Sequence, residues 1–278
     1  MEFLNNQFGK SKLYEWIREP RKIGWMNFSD EVMKKIIQDF TQLGYPVQPL
    51  EISIQDYTEY FNQADYTHRH PQYYTFALKE KSLEHFLAAK LLELTSQDIY
   101  IDIASEGSPV PEIYNRLFGV HTYRQDLAYP KGFNGETIGG NAAEMAIPDE
   151  FASKMALHCS LEPFEGDSDT RFFREAVRVL KPGGRVCVVP FYVFEEFSVV
   201  TDPEVVRMQN VGFDKDAVVY CIAGWANRHG RYYDPQRFVE RIAVFLTGCI
   251  IKIFHILNAH EVDPSCYSRF ALLIEKIA

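Results

Sequence analysis

Hydrophobic and polar residues alternate in two different ways on either side of residue 96. Within 1–96, apolar residues recur at helical spacing over 32–43, with Ser29 as the expected N-cap, and over 83–94, with Ser82 in that position. The residues between these helices include two prolines and a segment dense in Tyr, Phe and His. The pattern therefore predicts a helical, aromatic-rich cap or lid over residues 1–96.

From residue 97 onward, short hydrophobic strands alternate with amphipathic helices, as in a doubly wound α/β sheet. The strands are expected at 99–103, 121–127, 137–139, 155–158, 185–191, 250–257 and 269–277. The turn between the last two strands is too short for a crossover helix, so this pair should be antiparallel. We predict that 97–278 form a Rossmann-like sheet of seven mostly parallel strands with one antiparallel strand, and that 193–234 form an inserted substrate loop.

The charge and the cysteine content of the chain reduce the number of functions that are compatible with it. The 278 residues carry 29 Lys and Arg against 38 Asp and Glu, a net charge of −9 that repels nucleic-acid backbones. The five cysteines are widely spaced without a CxxC pair, which favours reduced thiols in a cytoplasmic protein and disfavours a metal site. The chain shows neither a signal-peptide pattern nor an apolar run long enough to span a membrane. We expect a cytoplasmic protein with a small-molecule partner, without a nucleic-acid or membrane partner.

Acidic residues follow two neighbouring predicted strands, at the sheet edge where this fold binds ligands. Asp102 ends the first strand and precedes a tight turn, 104–108, onto a helix N-terminus, where free N–H groups suit a carboxylate or phosphate. Asp126 lies at the expected end of the second strand, where a carboxylate can accept two ribose hydroxyls. The plainer interpretation of Asp126 is a turn cap.

Several familiar nucleotide-site motifs are missing from the sequence. No G-x-G-x-x-G follows the first strand, no tyrosine has a lysine four residues on, and no G-x-x-x-x-G-K-[ST] occurs. These absences disfavour a dinucleotide dehydrogenase and a P-loop enzyme. Another nucleotide-using α/β enzyme stays open as an alternative.

Longer segments resemble one family. IGGNAAEMAIPDEF (138–151), the helix leading into RVLKPGG (178–184) and YSRFALLIEK (267–276) resemble segments of class I S-adenosylmethionine-dependent methyltransferases. The resemblance covers about 97–278. It implies the Rossmann-like fold, S-adenosylmethionine as cofactor, and methyl transfer (EC 2.1.1 class) to an O, N or C atom of a small-molecule acceptor.

The resemblance also implies a set of cofactor-binding residues at the strand ends. They are Asp102, Ala104, Gly107, Asp126, Asn141, Ala142 and His158. In this assignment Asp102 lies near the methionine amino group, Asp126 at the ribose and Asn141 at the adenine edge. Without the resemblance, His158 is more simply a strand-end histidine bonded to backbone.

The turn after the first strand departs from the family pattern. Ala104, Glu106 and Ser108 stand where the family usually has glycines, which let the backbone approach the cofactor closely. A catalytically inactive, methyltransferase-like binding or scaffold protein is therefore a second alternative.

Acceptor-side residues are expected in the loop 225–234, which should lie over the carboxyl edge of the sheet, and in the aromatic cap. The candidates are His229 as general base and Arg228, Arg231, Tyr232 and Tyr66 as substrate residues. A solvated loop whose arginines pair with surface acids is the plainer interpretation. The sequence leaves the oligomeric state open, and a homodimer through the cap is compatible with it.

Overall fold

The computed structural model describes residues 17–208 and 211–277, which form two β-sheets flanked by helices. The strands are β1 (Arg21–Ile23), β2 (Val47–Leu50), β3 (Ile99–Ile103), β4 (His121–Asn134), β5 (Thr137–Gly139), β6 (Ala152–His158), β7 (Leu180–Val189), β8 (Ser198–Thr201), β9 (Val218–Cys221), β10 (Gly230–Tyr232), β11 (Cys249–Ile256) and β12 (Phe270–Lys276). The helices are α1 (Asp30–Gln42), α2 (Ile54–Ala64), α3 (Tyr66–Arg69), α4 (Leu78–Leu92), α5 (Val110–Phe118), α6 (Ser168–Val179), α7 (Pro203–Met208), α8 (Pro235–Arg241) and α9 (Ala259–Val262), with a 3-10 turn at Ala243–Phe245. None of the helices in these described ranges has both the length and the apolar character needed to cross a membrane.

The larger sheet has the strand order β2-β11-β12-β7-β6-β3-β4-β5. β12 pairs antiparallel with β7 and with β11, which confirms the predicted arrangement of the last two strands. The sheet has eight strands and not the predicted seven, because β2 adds to β11 at the edge. The sequence assigned β2 to a loop because of Pro46 and Pro49, but Pro49 is tolerated in an edge strand, where an outward-facing backbone position needs no N–H.

Alternate residues of the central strand β3 enter different cores on the two faces of the sheet. Tyr100 packs in the apolar cluster built with α4 and α5, whereas Ile101 and Ile103 pack in the cluster built with α6. Asp102 follows the alternation onto the Tyr100 side, and its carboxylate accepts a hydrogen bond from that tyrosine. The sequence pattern of β3 therefore directs an acidic side chain to the face that α4 and α5 cover.

Helix α4 runs antiparallel to the parallel strands, so that its first turn lies at their carboxyl edge. At its beginning, the Glu80 carboxylate accepts hydrogen bonds from the Tyr267 N–H and the Ser268 hydroxyl, which precede β12. Just beyond its end, Glu93 forms an ion pair with Arg185 in β7. The polar residues of the first turn of α4 consequently join the edge where ligands bind in this fold.

The predicted start of α4 was wrong. The helix begins at Leu78, and Ser82 lies inside it, with its hydroxyl 2.7 Å from that of Tyr57 and donating to the Lys79 carbonyl. The first turn contains charged residues whose side chains are buried against the sheet edge, so the apolar period begins one turn after the helix does.

The smaller sheet, in the order β1-β9-β8-β10, joins the inserted segment to the N-terminal region. Strands β8, β9 and β10 come from 193–234, and β1 pairs with β9 in parallel. Because β2 likewise belongs to the larger sheet, the N-terminal region contributes a strand to both sheets.

The chain after β4 folds back along β5. Arg124 and Gln125 pair with one side of β5, and Phe133 and Asn134 return to the same residues. The predicted strand 121–127 is therefore longer, and no helix separates it from β5. The reversal brings the Pro130 carbonyl against Gly139.

We expect Gly139→Ala to destabilise the protein by about 1–3 kcal/mol, as overpacking does. A Cβ at Gly139 would lie 1.9 Å from the Pro130 carbonyl oxygen, so the backbone must move. Gly212→Ala is the matched control, because a Cβ there meets no atom within 4 Å. Urea unfolding of both variants checks this, and equal stability would show that the 127–136 segment does not cross β5 as described.

Candidate functional site

The carboxylate of Asp102 lies at the carboxyl end of β3 and is buried. Its Oδ1 accepts a hydrogen bond from the Tyr100 hydroxyl at 3.0 Å, and its Oδ2 has no partner among the described residues. Burial raises the pKa of Asp102 to about 7, although hydrogen bonds from Ser108 and Tyr100 act in the opposite direction. A buried carboxylate with an unsatisfied oxygen is costly unless a ligand supplies a donor. Asp102 thus marks a position for a cationic or hydrogen-bond-donating ligand group.

The turn after β3 is tied to the middle of β4 through backbone amides. The Ser105 N–H donates to the Gln125 carbonyl at 3.0 Å, and the Glu106 N–H donates to Asp126 Oδ2 at 2.9 Å. The second oxygen of Asp126 accepts from the Ala128 N–H at 2.9 Å. A carboxylate offers about four acceptor positions. Asp126 is therefore a turn cap that keeps acceptor capacity for hydroxyl groups.

The side chains of the non-glycine residues in the turn 104–108 do not fill the space beside its backbone. Ala104 adopts a φ of 52°, the left-handed conformation that glycine adopts with less strain. The Glu106 side chain is exposed and lines the adjacent cleft. At Gly107, a Cβ would meet no atom within 4 Å. The backbone thus follows the glycine-type path although Ala104 and Glu106 carry side chains.

A cleft of about 920 Å³ lies between this turn and the aromatic cap segment. Residues 106–109 line one side, and residues 69–74 with Phe76 line the other. Arg124 and Tyr129 complete the wall. The volume lies within the range of roughly 300–1,000 Å³ that is typical of small-molecule sites.

Asn141 and Ala142 lie on the turn after β5, next to the middle of β4. The exposed Asn141 accepts the Ala143 N–H at its Oδ1 at 2.9 Å, and Ala142 is buried. The Gln125 amide donates to the Gly140 carbonyl and fixes this turn to β4. The two turns that follow β3 and β5 are thus joined through Gln125 and Asp126 of β4.

His158 ends β6 close to Asp102, and its side chain is 6% exposed. Its Nε2 lies 3.1 Å from the Tyr100 hydroxyl and 3.7 Å from Asp102 Oδ1, whereas its Nδ1 has no partner in the described chain. The ring packs edge-on against His85, with 4.9 Å between centroids. Burial and the charge of Lys81 lower the pKa of His158 to about 3, so the ring is neutral.

The inserted segment brings His229 onto the turn that follows β6. His229 is 2% exposed, its Nδ1 lies 3.0 Å from the Glu162 carbonyl oxygen, and its Nε2 has no partner within the described ranges. On the same turn, the Cys159 thiol donates to Glu162 Oε1 and lies 3.2 Å from the Tyr192 hydroxyl. Burial lowers the pKa of His229 and raises the pKa of Glu162.

A buried ion pair on α4 completes this edge of the sheet. Lys81 donates to both carboxylate oxygens of Glu84, at 2.8 and 3.2 Å, and the two side chains are 6% and 0% exposed. Burial raises the pKa of Glu84 to about 8, and the Lys81 charge opposes that rise. The sequence analysis missed this pair, as well as Cys159 and Glu162. The one available signal was the placement of a Lys and a Glu three residues apart, at 81 and 84, where helical neighbours can pair.

The guanidinium of Arg231 stabilises the fold through bonds within the protein. It is fully buried, its Nε and NH2 contact Asp214, its NH1 lies 3.2 Å from Asp169, and NH1 and NH2 also donate to the Phe164 and Gly166 carbonyls. All its donor groups are therefore engaged within the protein. None of them is left for a substrate.

The other predicted substrate residues are divided between the edge and the cap. Arg228 pairs with Glu165 at 2.7 Å. The Tyr232 ring packs against Tyr192, with 4.9 Å between centroids, close to the turn after β6. The hydroxyl of the buried Tyr66 contacts His85 Nδ1 at 2.7 Å, behind His158. Tyr232 therefore lies nearer to the site than Tyr66, which belongs to the support of the histidines.

Comparison with known proteins adds a family match over part of the chain. Residues 106–188 match the family model of a methyltransferase domain. No curated protein sequence matches the chain significantly.

Solved structures align with the chain at low sequence identity. The 1,6-didemethyltoxoflavin-N1-methyltransferase of Burkholderia thailandensis, solved with 1,6-didemethyltoxoflavin and S-adenosylhomocysteine, aligns with a TM-score of 0.50 and 11% identity over 84% of this chain and 94% of that one. The PH0226 protein of Pyrococcus horikoshii aligns with a TM-score of 0.46 and 15% identity over 77% and 96% of the two chains.

Proposed function

We propose that this chain, a class I S-adenosylmethionine-dependent methyltransferase by its sheet order and its matching domain, methylates a small-molecule acceptor at the carboxyl edge of the larger sheet. The observation that carries the proposal is the unsatisfied, buried oxygen of Asp102 beside a cleft of about 920 Å³. The cofactor brings an activated methyl group on a sulfonium centre, so the protein mainly has to position the acceptor and exclude water.

The residues at the strand ends fit the cofactor. Asp102 Oδ2 suits the ammonium group of the methionine portion, because this buried oxygen has no hydrogen-bond partner in the described structure. Asp126 retains acceptor positions for ribose hydroxyls, and the open turn at Gly107 lets the backbone come close. The other proposed cofactor-binding residues are Ala104, Asn141, Ala142 and His158.

The acceptor side of the proposed site is the turn that follows β6. His229 and Glu162 meet there, and Tyr232 packs nearby through Tyr192. A neutral His229 with a free Nε2 has the protonation state that a general base requires. His229 is the proposed general base, and Arg228 is a proposed substrate residue at the edge of the site.

The position of the cap and the net charge of the chain favour a small-molecule acceptor over a macromolecular one. Residues 69–74 form one wall of the cleft, and the net charge of −9 disfavours nucleic acid. We propose that 1–96 act as the lid of a catalytic domain, 97–278, with the substrate segment 193–234, in the cytoplasm. A lid of this kind excludes water from the reacting groups.

The size of the methylated product tests the proposed acceptor class. The full chain is incubated with S-adenosylmethionine that carries a tritiated methyl group, together with a cell extract separated into small metabolites and macromolecules. We expect label in the small-molecule fraction only, and none with the Asp102→Asn variant. Label confined to RNA or protein would contradict the proposal. Cofactor binding without transfer to either fraction would favour the scaffold alternative.

Asp126→Ala is expected to weaken binding of S-adenosylhomocysteine by about 10- to 100-fold, the effect of losing hydrogen bonds to a charged group. Asp126→Asn keeps one oxygen for the turn amides and should lose less. Calorimetric titration measures both variants. Unchanged affinity in Asp126→Ala would remove the ribose assignment.

A further inference from the structure

Buried hydrogen-bond acceptors without donors occur at the end of β6, on the turn that follows it, and on the inserted segment that contacts this turn. Three side-chain atoms, His158 Nδ1, Glu162 Oε2 and His229 Nε2, are buried and have no hydrogen-bond partner in the described parts of the chain. Buried polar groups are nearly always satisfied in folded proteins. His229 contacts the Glu162 carbonyl, and His158 lies four residues before Glu162, so the bare acceptors of these three residues at one strand end point to a ligand.

The hydrogen bonds of the two histidines fix which nitrogen is bare. His229 Nδ1 lies 3.0 Å from the Glu162 carbonyl, and a carbonyl only accepts, so Nδ1 carries the hydrogen and Nε2 is the lone pair. The single hydrogen of the Tyr100 hydroxyl goes to Asp102, so His158 Nε2 donates to that hydroxyl and Nδ1 is the lone pair. Both rings thus present an acceptor.

Most of the donor groups around this turn already have acceptors within the protein. The Cys159 thiol donates to Glu162 Oε1, and Lys81 donates to both oxygens of Glu84. The guanidinium of Arg231 is bonded to two aspartates and two carbonyls. The third hydrogen of the Lys81 ammonium is the one donor of these groups without an assigned partner, so these neighbours cannot satisfy all three bare acceptors.

We propose that the acceptor molecule binds at this turn through an amino or hydroxyl group that donates hydrogen bonds to Glu162 and His229, and that its methylated end carries no carboxylate or phosphate. This inference rests on the proposed function and narrows its substrate class. An anionic group would meet the Glu162 oxygen and the lone pairs of the two histidines, and both contacts are repulsive, whereas the nearby Lys81 ammonium is already paired with Glu84. The rings of Tyr192 and Tyr232 add apolar walls to the same turn.

Matched fragments test this acceptor chemistry. The full chain, saturated with S-adenosylhomocysteine, is titrated with benzylamine, benzyl alcohol, benzoate and phenyl phosphate in ligand-observed NMR. We expect the amine and the alcohol to bind at least about fivefold more tightly than the two anions. Glu162→Gln replaces an acceptor oxygen with an amide that also donates, so this preference should disappear or reverse toward benzoate.

Controls separate the acceptor inference from the fold and from the proposed function. Glu51→Gln, at an exposed position, should leave all four affinities unchanged. His229→Phe removes a second acceptor and replaces Glu162→Gln if that variant does not fold, as thermal unfolding will show. Tighter binding of either anion, no binding of the amine and alcohol, or a preference that survives these substitutions would overturn the inference. Failure of the wild type to bind S-adenosylhomocysteine would refute the proposed function itself.

Discussion

Asp102→Asn is expected to weaken S-adenosylmethionine binding by at least about 100-fold while making the ligand-free protein more stable at pH 8. The carboxylate is buried, and its Oδ2 has no hydrogen-bond partner in the described structure, so it supplies a negative charge at the position assigned to the cofactor ammonium. Asparagine keeps the acceptor for the Tyr100 hydroxyl but removes that charge. Function and stability should therefore change in opposite directions.

The sign of the stability effect follows from the pKa. Burial raises the pKa of Asp102 from its ordinary value of 3.8 to about 7, so the folded protein holds this proton at pH values where the unfolded chain has lost it. The stabilisation is complete below pH 4 and is lost as the pH rises through 7. Above pH 7 the ionised carboxylate costs on the order of 2–4 kcal/mol, which asparagine avoids except for its own unpaired amide.

Urea unfolding of the ligand-free protein at pH 5 and pH 8, with calorimetry of cofactor binding, checks both halves of this prediction. We expect Asp102→Asn to be about 1–3 kcal/mol more stable than wild type at pH 8 and to lose most of that advantage at pH 5. Asp149→Asn, at a largely exposed side chain, is the control for a neutralised aspartate and should change little. A destabilised Asp102→Asn variant at pH 8 would show that the carboxylate is satisfied in the native protein.

Arg231→Met is expected to cost about 3–5 kcal/mol of unfolding free energy, the largest loss predicted for a single substitution here. The arginine joins the inserted segment to the first turn of α6 through Asp169 and to the chain near β9 through Asp214, with both partners buried or nearly so. Burial would raise the pKa of Asp169, but Arg241 and Arg231 hold it below its ordinary value. Methionine fills similar volume and leaves these carboxylates without one of their cations.

The surface pair Arg171–Glu144 supplies the matched control. Its atoms are 3.5 Å apart and its side chains are 41% and 78% exposed, so Arg171→Met should change stability by less than about 0.5 kcal/mol. Equilibrium unfolding in urea measures both variants. Equal, small losses would mean that the Arg231 network contributes no more than a surface pair and would reopen a substrate role for that arginine.

The hydrophobic pattern predicted the α/β class and the antiparallel final strand because each strand and helix is specified by its local sequence. It missed β2, since Pro49 argues against a strand unless the strand is known to lie at an edge. It also misplaced the start of α4, where buried charges such as Lys81 look like a solvated turn. Edge position and burial are tertiary properties that local sequence does not encode.

The site could be predicted at the strand ends and not elsewhere. Asp102 and His158 lie at the carboxyl ends of their strands, Asp126 ends the predicted second strand, and the rule that ligands bind at this edge locates them. Glu162 and His229 are far apart in sequence, and only the folding of the inserted segment onto the turn after β6 brings them together. Arg231 illustrates the opposite case, because its buried carboxylate partners were not apparent from the loop sequence.

Calorimetric titration of the wild-type chain with S-adenosylhomocysteine and S-adenosylmethionine tests the central claim most directly. The account predicts binding of both at one site with a dissociation constant of about 1 μM, equivalent to about −8 kcal/mol. It further predicts that S-adenosylhomocysteine raises the unfolding temperature, since a ligand that binds only the native state stabilises it. Absence of binding by either compound to folded protein would contradict the cofactor site at Asp102 and leave the scaffold alternative in its place.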